Sequence, residues 1–120
     1  MTLKRRVAGK ADLVLRALVW LEVGRTTAYA YGSLRQNAAR DRRRRALYAT
    51  LLHRLGRLNL RGVAEALQIS EYLAGKAIAL DAIPQDEVTE WARLVHDAIR
   101  QLEVMESRAR GETIPPWRRS

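Results

Sequence analysis

Val88, Trp91, Val95, Ala98, Leu102 and Met105 follow one another at spacings of 3, 4, 3, 4 and 3 residues. Only an α-helix places such a series on one side, so at least 18 residues of this chain are committed to helix. Pro84 stands just ahead, at a position favoured in a first helical turn, and Asp86 and Glu87 follow where the helix dipole favours anions. The spacing predicts a long helix over 84–108, closed by Gly111 and followed by a flexible tail over 111–120. As a heptad seam it covers fewer than three repeats. Val88, Trp91, Val95, Ala98, Leu102 and Met105 are therefore expected either to pack inside a bundle or to form a dimer or partner interface, with a homodimer favoured.

The rest of the chain agrees with an all-α protein. All three prolines lie past residue 83, no long run alternates apolar with polar, and hydrophobic residues make up 48% of the 120. A first helix is expected from Ala11 to about Val23, with Val14, Ala17, Leu18 and Leu21 on one face and Gly24 beyond it. A second is firm by Ala46, through the stripe Tyr48, Leu51, Leu52 and Leu55, with Ser33 as an alternative start. Asn59 is a good N-cap for a third helix over 60–67. "QIS" then makes a turn, and Ser70 caps a fourth running to about Leu80. The expectation is a compact four- or five-helix domain over 1–110, with residues 1–9 as a basic arm.

The absence of cysteine excludes disulfides, thiolate metal sites and Cys nucleophiles. The apolar run near the start is interrupted by Arg16 and Glu22, too short and too broken to span a bilayer, and no clean small-x-small cleavage site follows. No membrane association is expected, and the chain reads as cytoplasmic. His53 sits among leucines, His96 and Asp97 point about 100° apart on a helix, and no metal-ligand spacing or Gly-rich phosphate loop occurs. No catalytic residue, metal or cofactor is assigned, and an enzyme is not expected.

The net charge of +9 is unevenly placed: residues 1–60 carry +11 and residues 61–120 carry −2. A half so basic attracts polyanions at long range. Its densest part is "ARDRRRRALY". Four successive arginines on a helix cannot share one outward face, and near a helix N-terminus their charge is unfavourable unless an anion relieves it. Arg40, Arg42, Arg43, Arg44 and Arg45, with Arg35 and with Lys4, Arg5 and Arg6 of the arm, are the expected phosphate-binding set, giving steep salt dependence.

Residues 60–80 are similar to the helix-turn-helix of DNA-binding regulators of bacteria and phages. Ala64 stands where that motif needs a small residue, Val63 and Leu67 face the core, Ile69 follows the turn, and Leu73, Ala77 and Ile78 anchor the second helix. The motif's turn usually carries Gly. Gln68 stands there in this chain, which suggests a wider turn. The resemblance implies that Glu71, Tyr72, Gly75, Lys76 and Ala79 form the outward face of the second helix, with Tyr72 and Lys76 making the limited base contacts. The function expected is a small sequence-preferring DNA-binding protein, a bacterial or phage transcription regulator. The alternatives are a helical subunit of a nucleoprotein assembly holding RNA or single strands, and a modulator that docks on an acidic protein surface.

Overall fold

A computed structural model describes residues 9–79 and 83–109. Among these residues there are six helices and no strand: α1 (Gly9–Val23), α2 (Ala28–Arg40), α3 (Arg42–Arg54), α4 (Leu60–Leu67), α5 (Glu71–Ala79) and α6 (Gln85–Ala109). The all-helical class is as the sequence implies. The count exceeds the expected four or five because the basic stretch is not one helix. It breaks at Asp41, whose backbone is extended (φ −110°, ψ 111°) and whose carboxylate accepts hydrogen bonds from the N–H groups of Arg43 at 2.9 Å and Arg44 at 3.2 Å. The side chain satisfies two amides that a new helix would otherwise leave open, so a helix restarts there. Upstream, Thr27 accepts from the Ala30 N–H and starts α2, which runs on through Gly32 to Arg40.

α3 organises the molecule. Its seven consecutive residues Ala46 to Leu52 are all buried, so no side of this segment faces water. α1, α2, α4, α5 and α6 all pack against it. A helix buried all round is a core element rather than an amphipathic surface one. α1 and α6 pack on each other antiparallel: Arg16, midway along α1, pairs with Glu106, and Glu22, near its C-terminal end, shares a cleft with Glu87 and Trp91. Gly56 lies where α3 ends against α1. A Cβ there would come 2.6 Å from the Leu52 carbonyl oxygen and 3.3 Å from Ala11 Cα, so only glycine allows this approach.

α4 and α5 are capped as expected, by Asn59 (accepting from Gly62 N–H at 2.8 Å) and Ser70 (accepting from Leu73 N–H at 3.1 Å). The turn between them is three residues long and is not widened. Gln68 itself takes the left-handed conformation, φ 55° and ψ 48°. The Ile69 N–H then reaches the Ala64 carbonyl at 3.0 Å, closing the end of α4. A non-glycine residue there carries strain of about 1 kcal/mol or more. Gln68→Gly is thus expected to raise the urea midpoint by an amount equivalent to about 1 kcal/mol. A decrease would mean that the exposed Gln68 side chain contributes more than its backbone costs.

Four of the six seam positions of α6, Val88, Val95, Ala98 and Leu102, are buried within this single chain, and Trp91 is half-buried against the same core. Met105 remains 48% exposed, and Leu94 is the other large apolar side chain of α6 open to water. They stand 11 positions apart, about 16 Å along the helix. Most of the seam is thus covered by the fold itself. No helix among the described residues is long and apolar enough to cross a membrane.

Candidate nucleic-acid interface

The second helix of the α4–turn–α5 unit is held from beneath by small side chains. Ala74 is fully buried and Ala77 is 5% exposed, and α5 packs on both α3 and α4. Leu73 and Ile78, expected as anchors, are only half-buried. Small residues bring α5 close to α3, which makes the packing tighter than large ones would allow. Of the outward residues expected from the resemblance, Glu71, Tyr72 and Lys76 are exposed, Tyr72 by 68%. The Lys76 ammonium lies 5.0 Å from the centre of the Tyr72 ring, a cation–π contact across one helical turn. Gly75 is half-buried beside Leu60. The side chain of Ala79 lies outside the described residues.

The arginine run divides. Arg45 is turned back on the preceding helix: its Nε donates to the Ala38 carbonyl at 2.7 Å and its Nη2 to the Ala39 carbonyl at 2.8 Å. These are among the last carbonyls of α2, which have no partner within their own helix. Arg44 lies 3.6 Å from a Glu22 carboxylate oxygen and 3.8 Å from one of Asp41, and Arg43 pairs with Glu87 at 2.5 Å. The anion needed to relieve the crowding comes from the chain's own carboxylates. Arg35 is likewise engaged, donating to the Ala66 carbonyl at 3.1 Å at the end of α4, with its guanidinium 5.7 Å from the Tyr31 ring centre. Only Arg40 and Arg42 of this set are exposed without an acidic or hydrogen-bonding partner among the described residues. Lys4, Arg5 and Arg6 lie outside the described residues.

Burial decides the chemistry of one nearby group. Tyr48 is fully buried on α3, and its hydroxyl donates to Glu22 at 2.7 Å. Burial first, and the neighbouring carboxylate second, hold its ionisation far above the ordinary value of 10.0. The folded state therefore keeps a proton that the unfolded chain loses above pH 10. Stability linked to Tyr48 is complete below pH 10 and declines as pH rises beyond it, by up to about 1.4 kcal/mol per pH unit. Tyr48→Phe should flatten the alkaline limb of a stability–pH curve measured by urea unfolding between about pH 9 and 11.

Two surface residues given no binding role from the sequence adjoin α5. Arg61, 80% exposed and only loosely paired with Glu65 at 4.0 Å, and Gln68 line a shallow depression with Ala64, Glu65, Ile69 and Glu71. The sequence signal for Arg61 is its place immediately inside the Asn59 cap, at the start of α4. His53 sits with its Nδ1 2.8 Å from the Leu58 carbonyl oxygen, a contact that requires the proton on that nitrogen, and His96 is exposed on α6. No group of three or more His, Asp or Glu side chains able to hold a metal ion occurs among the described residues. No protein-family model, curated protein or solved structure matches this chain.

Proposed function

We propose that this protein is a small DNA-binding transcription regulator that lays α5 along the major groove of duplex DNA, with phosphates held by Arg40 and Arg42. The observation that carries the reading is the pairing of a short three-residue turn with the exposed Tyr72–Lys76 pair on the side of α5 opposite its buried alanines. A groove-seated helix needs this arrangement: one face fixed to the domain, the other projecting polar side chains beyond the surface. The +11 charge of residues 1–60 supports association with a polyanion, since it raises the local concentration of phosphate around the fold. A second reading, a subunit that holds RNA or single-stranded DNA without reading sequence, draws support from Tyr29 and Tyr72. They are 78% and 68% exposed, as stacking platforms for unpaired bases would be.

Binding to random-sequence duplex DNA and to single-stranded RNA, each over a salt series, separates the two. Under the regulator reading duplex DNA binds more tightly, the Tyr72→Ala, Lys76→Ala double variant keeps most of this non-specific affinity, and on a site selected from a random library it loses the sequence preference of wild type. Equal or tighter binding to RNA would favour the second reading. No binding to either polymer would exclude both and direct attention to an acidic protein surface.

A further inference from the structure

Gly75 stands in the interior of a nine-residue helix, where glycine is the least favourable residue after proline. Packing does not require it. A Cβ built there would meet only Leu60 methyl groups, at 3.5 and 3.8 Å, which is ordinary contact. No positive φ requires it either, since among the described residues positive φ occurs at Gly24, Arg57 and Gln68. The helix therefore forgoes stability at this position with no return inside the fold. Gly75 follows Glu71 by four residues and Tyr72 by three, so it borders the exposed arc that they form, half-buried where Leu60 of α4 packs beside it. A missing side chain at the edge of a presented face lets the helix backbone come closer to whatever it lies against.

The residues flanking this gap carry opposite hydrogen-bonding character. Glu71 offers only acceptors, and Lys76, held over Tyr72 and drawn toward the helix N-terminus, offers only donors. In the major groove, cytosine presents a lone N4 amine. Adenine pairs its amine with the N7 acceptor, which repels a carboxylate. Guanine presents two adjacent acceptors, O6 and N7, the strongest attraction for an ammonium. Resting on the DNA-binding reading above, we infer that α5 reads a G- and C-containing duplex site. Glu71 accepts from a cytosine N4 amine, Lys76 donates to guanine O6 and N7, and Gly75 is the point of closest approach to the base edges.

The test is a selection from a randomised duplex library with the full chain, followed by affinities of Glu71→Ala, Lys76→Ala and Gly75→Ala on the selected site and on single-base variants of it. The expected consensus retains a cytosine and a guanine. Glu71→Ala should then relax discrimination at the cytosine by about 5- to 100-fold, and Lys76→Ala should do so at the guanine. Gly75→Ala separates binding from folding. Its thermal midpoint should rise by roughly 4 °C, while affinity for the selected site falls at least tenfold. A consensus of A·T pairs alone, or a Gly75→Ala protein that binds as wild type does, would overturn the inference. Tight duplex binding with no sequence preference would overturn it while leaving DNA binding intact. Failure to bind duplex at all would remove both.

Discussion

Leu51→Ala and Leu52→Ala are each expected to destabilise the protein by about 3–5 kcal/mol, although the two side chains point about 100° apart on the same helix. On an amphipathic surface helix, only one of two adjacent leucines sits in the core, and truncating the other costs well under about 1 kcal/mol. α3 is different because five helices surround it, and both residues are fully buried. Each truncation removes buried methyl groups and leaves a cavity that the short, closely packed α5 cannot easily collapse to fill. Urea unfolding should show both midpoints shifted with the slope unchanged. If either variant loses less than about 1 kcal/mol, α3 is not enclosed on that side. A total stability of about 5–15 kcal/mol is usual for a domain of this size, so the double variant is expected to be unfolded at room temperature.

What the sequence discloses follows from which interactions are local. α4, α5 and their caps are legible because Asn59 and Ser70 act on amides three residues away, and an N-cap is written entirely within one turn. The helical state of residues 85–109 is equally legible, since a 3–4 spacing reports the period of the chain. That spacing says nothing of what covers the stripe. Its partner, α1, is far away in sequence, and the same pattern serves a core or a dimer. Asp41 is hidden as a cap because it stands within a run of arginines and reads as part of one charged stretch. Its extended backbone and two amide contacts are what divide that stretch into two helices. Gln68, lacking the glycine a tight turn prefers, reads as a reason for a wider one. The hydrogen bond from Ile69 to Ala64 holds the turn at three residues in spite of the local preference.

The same non-local contacts decide which arginines remain available to a ligand. Arg40→Ala, Arg42→Ala should leave the unfolding midpoint nearly unchanged, because neither side chain has a partner among the described residues. If they meet phosphates, the slope of log K against log salt should fall by about 2, one for each phosphate that an arginine no longer neutralises. Arg45→Ala should do the reverse. It leaves the Ala38 and Ala39 carbonyls at the end of α2 without their donors, at a cost of about 1 kcal/mol because water can reach the exposed Ala39 carbonyl, and the salt slope should hold. Arg43 and Arg44 lie between these limits. Their ion pairs with Glu87 and Glu22 are half-exposed to water and contribute little to stability, so a phosphate brought close by Arg42 can compete for them. Affinity should therefore fall in Arg43→Ala by less than in Arg42→Ala, and the Glu87→Gln protein, which frees Arg43, should bind duplex DNA more tightly than wild type. A Glu87→Gln protein with unchanged affinity would mean that Arg43 belongs to the fold alone, and that the grip on phosphate rests on Arg40 and Arg42.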